Sequence, residues 1–266
     1  MKIAIIGAGN LGLSIAKGIL HSKSATSLYL TKRNTKELAA YEKYSNVTIT
    51  SDNREAIKNS DMVIFAIQPG QFEAILEDSK ELFSENHVLI STITGFSISK
   101  IEALIGADKN IIRSMPNTAI SVGKSMTCIC ANAKGKSKIN MAKGIFDTMG
   151  HSLEIPENQM QAATVLCASG IAFWMRLIRA TTQGAVQLGF EAKEAQELAM
   201  HTCKGAAELL IASNSHPETE IDKVTTPKGC TIQGLNEMEH QGLSSALIQG
   251  IVASYEKISR IKEEQL

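Results

Sequence analysis

Three stretches of this chain carry residue types at spacings that could do chemistry. The first is Gly7-Ala8-Gly9-Asn10-Leu11-Gly12. Glycines at this spacing serve separate needs. Gly7 permits a sharp turn, Gly9 lets a pyrophosphate approach the backbone, and Gly12 lets a helix pack closely on a strand. The unpaired N–H groups of the helix that follows would face the phosphates. The second stretch is Thr31-Lys32-Arg33-Asn34-Thr35. A chain that prefers NAD places an acid here for the ribose hydroxyls. Two cations, with small hydroxyl and amide groups, suit a 2′-phosphate instead. The third is Val224-Thr225-Thr226-Pro227-Lys228-Gly229-Cys230-Thr231-Ile232. Its N–H groups can hold a carboxylate, and its threonines can hydrogen-bond a small polar substrate. A plain helix N-cap remains the alternative for this loop.

The elements around these stretches say how they are positioned. Residues 2–6 read as a buried strand and 13–20 as a helix, so the glycine turn sits at a strand-to-helix junction. Residues 28–30, 47–49, 61–67, 87–91, 111–118 and 126–131 read as further strands, with helices over 36–44, 71–82, 97–105 and 138–149. Such alternation predicts an α/β fold, a Rossmann-like doubly wound, mostly parallel sheet. Its crevice lies at the carboxyl ends of the strands, where the loops at Gln68, Thr92 and Met115 should meet. Past Pro156 the pattern becomes helical, with apolar residues at helical spacing over 159–188, 192–213 and 243–264. We expect a dinucleotide-binding domain over 1–156 and an all-helical domain over 157–266. Three long helices with apolar faces make a thin domain alone, so an intertwined homodimer is expected. Trp174 reads as core or interface packing.

Composition narrows the function classes. The 266 residues are 44% hydrophobic and 20% charged, and 27 basic residues balance 27 acidic ones. A net charge of zero argues against a nucleic-acid binder and against a polybasic membrane surface. No apolar run reads as long enough to span a bilayer, and no membrane partner is expected. The five scattered cysteines suit buried thiols in a reducing compartment, and the expected location is cytoplasmic. No histidine stands at metal-ligand spacing from another ligand, so no metal is expected.

With these motifs assembled, the chain resembles pyrroline-5-carboxylate reductase over nearly its full length. The resemblance rests on the Gly7 to Gly12 turn, Asp61 through Pro69, Arg113-Ser114-Met115-Pro116-Asn117-Thr118, Ala168-Ser169-Gly170, and Thr225 through Ile232. It implies an NAD(P)H-dependent reductase of a small cyclic imino acid, the last step of proline synthesis. It also implies a helical dimerisation domain, with dimers often assembled into larger rings. Together with the cations after residue 31, it makes NADPH the preferred cofactor, with NAD as the other option.

The resemblance assigns Gly7, Ala8, Gly9, Asn10, Leu11 and Gly12 to the cofactor phosphates, Arg33 and Asn34 to the 2′-phosphate, and Asn53 to the adenosine ribose. Ile67, Gln68 and Pro69 would flank the nicotinamide, with Thr92, Ile93 and Thr94 nearby. Glu157, Thr226, Gly229, Cys230 and Thr231 fall on the substrate side. There the Cys230 N–H would meet the carboxylate, and the Thr231 hydroxyl, the catalytic group, the ring nitrogen. The chain departs from the family pattern at Gln68, Ile171, Lys228 and Cys230. The departures at Gln68, Ile171 and Lys228 motivate a second reading, a reductase of another cyclic imine; a non-catalytic NADP-binding regulator is the third. No tyrosine is followed four residues later by lysine, and no lysine occurs between Gly144 and Ala192. The acid–base groups of two other dehydrogenase designs are therefore missing.

Overall fold

A computed structural model describes residues 1–264. It divides into two compact units, 1–168 and 169–263. In the first unit, β1 (Lys2–Ile6) leads into α1 (Asn10–Ser22), and β2 (Ser27–Thr31) into a 3₁₀ segment over Thr35–Tyr41. There follow β3 (Val47–Thr50), α2 (Asn53–Lys58), β4 (Met62–Phe65), α3 (Pro69–Ser79), β5 (Val88–Ser91), α4 (Ile98–Ile105) and β6 (Asn110–Met115). Then come β7 (Ser125–Ala131), α5 (Ile139–Phe146), β8 (Gly150–Glu154) and the single turn α6 (Met160–Ala163). One eight-stranded sheet has the order β3-β2-β1-β4-β5-β6-β7-β8, and β6 with β7 is its one antiparallel pair.

The strands are nearly all apolar because both faces of the sheet are covered. Ile3, Ile5, Leu28, Leu30, Met62 and Ile64 pack into one core cluster. Their alternates Ala4, Ile6, Val63 and Phe65 pack into the other. Local chemistry sets the helix starts. The Asp52 carboxylate accepts from the N–H groups of Arg54 and Glu55, the Ser97 hydroxyl accepts from that of Lys100, and Pro69 opens α3.

The first unit runs past residue 156. Met160 and Ala163 are buried in the core cluster that also holds Met115 and Cys128. Arg113 Nη1 donates to Glu157 Oε1 at 2.8 Å, and the Ile98 N–H donates to the same oxygen at 2.6 Å. These contacts fasten residues 157–163 to the sheet and to the start of α4. β8 was absent from the sequence expectation. It is short and polar, and its clearest mark is Gly150, where a Cβ would lie 2.0 Å from the Ser125 carbonyl oxygen of β7.

The second unit contains α7 (Gly170–Gln187), α8 (Ala192–Ser213), α9 (Pro217–Val224), α10 (Cys230–His240) and α11 (Leu243–Glu264). Its helices bury little of their own apolar surface. Trp174 is 58% exposed, Met175 62% and Ile211 80%. Trp174 is thus no core residue within the chain. The 31-residue helical path Glu157–Gln187 contains an 18-residue window of mean hydropathy 1.4, which corrects the expectation that no stretch is long and apolar enough to span a bilayer. The run did not read as one apolar stretch because threonine, serine, alanine and glycine dilute it and Arg176 and Arg179 interrupt it. A π-helical turn over Thr164–Ser169 lies within this continuous path.

Candidate active site

The glycine turn is held from behind by Thr31. The Ala8 N–H donates to the Thr31 carbonyl at 2.7 Å, and the Gly7 N–H donates to its hydroxyl at 3.2 Å. Thr31 is buried at the end of β2, so the neighbouring strand fixes the turn. Gly7 has φ +97°, and a Cβ there would lie 2.3 Å from Ile67 Cγ2 and 2.7 Å from the Ala66 carbonyl oxygen. A Cβ on Gly12 would lie 2.2 Å from the Gly7 carbonyl oxygen. A Cβ on Gly9 would meet nothing within 4 Å. Packing therefore explains two of the three glycines and leaves the third facing open space.

That space is a cavity of about 810 Å³. Gly7 to Leu11, Thr31 to Asn34, Asn53, Ile67 to Pro69 and Thr92 to Thr94 line it. It brings together every cofactor position expected from the sequence except Gly12, which packs behind the turn. Met115, expected in the same crevice, is not among its lining residues. Glu37, Ser51, Ala66, Gln71 and Ile75 are additional lining residues that no motif signalled. Another cavity, about 710 Å³ beside Lys17, His21 and Val122, holds none of the motif residues.

Aromatic packing and one threonine set the loops after β4 and β5, expected at the nicotinamide. Phe65 at the end of β4 meets Phe72 of α3 edge to face at 5.1 Å, and Phe72 meets Phe96 at 5.0 Å. This chain of rings ties the loop after β4 to the loop after β5. The Thr92 hydroxyl donates to the Phe65 carbonyl at 2.8 Å, joining the same two strand ends.

The end of the cavity at Lys32 to Glu37 carries mixed charge. Lys32 Nζ lies 2.5 Å from Glu37 Oε2, and Asn34 Nδ2 donates to Glu37 Oε1 at 3.0 Å. The Lys32 hydrogen bond, the Lys32 charge and the Asn34 amide hold the Glu37 carboxyl below the usual carboxylate range.

A dinucleotide fits these residues on three grounds: the side-chain-free approach at Gly9, the N-terminus of α1 beyond it, and the cations Lys32 and Arg33 in the same lining. Nothing in the cavity supplies a metal-binding cluster, and none occurs among the described residues.

Of the residues expected on the substrate side, Glu157 belongs to the first unit, where it binds Arg113 and the Ile98 N–H. The other four belong to the second. Gly229 is the N-cap of α10, and Cys230 and Thr231 begin its first turn, whose N–H groups have no intrahelical acceptor. Gly229 donates its N–H to the Thr226 carbonyl at 2.9 Å, closing the loop on itself. A Cβ on Gly229 would lie 2.4 Å from Thr226 Oγ1. Lys228 holds φ +60°, a left-handed conformation that glycine adopts without penalty. Lys228→Gly is expected to stabilise the protein by about 1 kcal/mol through relief of that strain, read as a higher midpoint in urea. An unchanged or lower midpoint would show that the lysine is not strained.

The comparisons with known proteins agree with this layout. A family model described as pyrroline-5-carboxylate reductase dimerisation matches residues 157–261. One described as NADP oxidoreductase, coenzyme F420-dependent, matches residues 2–95. Pyrroline-5-carboxylate reductase 1 of Dictyostelium discoideum is 43% identical over 97% of this chain, which spans 49% of that relative's length. Pyrroline-5-carboxylate reductase 2 of the same organism is 41% identical over 97% of this chain and 92% of its own. Among solved structures, a pyrroline-5-carboxylate reductase from Coxiella burnetii superposes with TM-score 0.91 at 28% identity, covering 97% of both chains. The Plasmodium falciparum pyrroline carboxylate reductase with NADP bound gives TM-score 0.84 at 25% identity, covering 98% of both.

Proposed function

The chain belongs to the pyrroline-5-carboxylate reductase family, and on that premise we propose that it reduces 1-pyrroline-5-carboxylate to L-proline with NADPH. The observation that carries this reading is the end-to-end correspondence with reductases of that name, through both the glycine-turn unit and the helical unit. When bound, the dihydronicotinamide supplies the hydride.

The chain's own residues bind and orient. Backbone N–H groups of Asn10 and Leu11 hold the pyrophosphate, which also touches Ala8, with Gly7, Gly9 and Gly12 shaping the approach. Arg33 and Asn34 take the 2′-phosphate and Asn53 the ribose. Ile67, Gln68 and Pro69 flank the nicotinamide, backed by Thr92, Ile93 and Thr94. On the substrate side the Cys230 N–H donates to the carboxylate, with Thr226 and Gly229 shaping the loop. The Thr231 hydroxyl orients the ring nitrogen. Glu157 supports that side by holding Arg113 and the start of α4. An imine takes its proton before or during hydride attack, so the residues are asked mainly for positioning.

Residues 1–156 serve the cofactor, and 157–266 the substrate and dimerisation. The exposed apolar faces of α7 and α8 are covered in a homodimer, and we extend this to a ring of dimers. A cytoplasmic enzyme without a membrane partner accords with helix faces that another copy of the same unit can cover.

The purified protein is expected to consume NADPH when 1-pyrroline-5-carboxylate is added. A six-membered cyclic imino acid is expected to give a kcat/KM lower by about tenfold or more, the usual worth of one methylene. Binding of NADPH without its oxidation by either imine would overturn the reading and leave a nucleotide-binding regulator.

A further inference from the structure

The adenosine end of the cavity holds an arrangement that the glycine motif does not require. Two cations and one carboxylate line it: Lys32, Arg33 and Glu37. The carboxylate takes both of its near donors, Lys32 Nζ at 2.5 Å and Asn34 Nδ2 at 3.0 Å. Arg33 makes no ion pair or side-chain hydrogen bond among the described residues. The side chains are unequally solvated: Lys32 is 27% exposed and Glu37 53%. Glu37 sits in the first turn of the 3₁₀ segment, six positions beyond the end of β2. It is therefore not the strand-end acid of an NAD site, and it reaches the cavity by folding back onto Lys32.

We propose that Glu37 sets cofactor preference, by neutralising Lys32 and fixing the Asn34 amide so that Arg33 is the cation left, beside Asn34, to receive a 2′-phosphate. The carboxylate also offers an acceptor to a ribose 2′-hydroxyl where no phosphate is present. One acid thus weakens the claim of NADPH and improves that of NADH, and the site admits both. This rests on the reading of the cavity as a dinucleotide site. A charge so exposed is screened by salt, so its effect is largest at low ionic strength.

The test uses adenosine 2′,5′-bisphosphate and 5′-ADP, each titrated calorimetrically into the full-length protein and into Glu37→Gln. The variant is expected to bind the bisphosphate about tenfold more tightly, the effect of freeing one ammonium near a doubly charged group at the surface. Its affinity for 5′-ADP is expected to stay level or fall. On a Lys32→Gln background the gain is expected to shrink below about threefold, because the cation to be freed is gone. Equal changes for both nucleotides, no change for either, or the same gain with and without Lys32 would overturn the assignment of Glu37. Failure of the unaltered protein to bind either nucleotide would overturn the dinucleotide site itself, and the assignment with it. Melting temperatures of the variants, expected within about 2 °C of the parent for substitutions at so exposed a position, separate preference from folding.

Discussion

Gly9→Val is expected to leave the melting temperature nearly unchanged while raising the Kd for NADPH by about tenfold to a hundredfold. The reasons are steric and local. A Cβ at this position meets no protein atom within 4 Å, and the backbone there, at φ −85°, suits any residue. The side chain would project into the 810 Å³ cavity, where the pyrophosphate must approach the N–H groups of α1. Loss of one or two charge-assisted hydrogen bonds of roughly 1.5–3 kcal/mol corresponds to that change in Kd. Gly12→Ala makes the contrast. Its Cβ would lie 2.2 Å from the Gly7 carbonyl oxygen, and backbone cannot turn aside as a side chain can. That variant is expected to lose about 3 kcal/mol of stability or more, with its weaker nucleotide binding following from damage to the turn. Thermal melts beside NADPH fluorescence titrations separate the two. If Gly9→Val melts as low as Gly12→Ala, then Gly9 is a packing residue, and the argument that the cavity explains it fails.

The same pair of glycines shows which parts of the molecule a sequence can disclose. Spacing located the turn because a strand, a tight bend and a helix each leave a mark within a dozen residues. The helix start at Ser97 was legible for the same reason: a cap acts within three residues of itself. Effects set by distant partners were not legible. Thr31 holds the turn from a strand whose own sequence gives no hint of it. Glu37 enters the cavity only because the segment after β2 tightens into a 3₁₀ helix over Thr35–Tyr41, where an α-helix was the natural reading. β8 escaped because Gly150 to Glu154 offers neither alternation nor an apolar run. It pairs with β7 through the room that Gly150 leaves. Glu157 was expected on the substrate side by resemblance, and the contacts with Arg113 and Ile98 give its carboxylate a structural duty that no spacing could have announced.

Thr231→Ala is expected to lower kcat by about tenfold to a hundredfold, with little change in stability. The hydroxyl is free to act because of where it stands on its helix. Thr164, Thr181, Thr182 and Thr225 each donate their hydroxyl to the carbonyl four residues back. Thr231 lies in the first turn of α10, and among the described residues its hydroxyl has no hydrogen-bond partner. It is half-buried, so its removal leaves no cavity of consequence and costs under about 1 kcal/mol. A single positioned group that hydrogen-bonds the reacting nitrogen is worth about the stated factor. Thr231→Ser, which keeps the hydroxyl, is expected to retain most of the turnover. Thr231→Val, which keeps the shape, is expected to lose as much as alanine does. The KM for the imine should rise less than kcat falls, because in the proposed binding mode the carboxylate is held by the backbone N–H of Cys230, which none of these changes removes. Full turnover in Thr231→Ala and Thr231→Val would leave the nitrogen to be oriented by the carboxylate grip alone, and the catalytic role given to Thr231 would be lost.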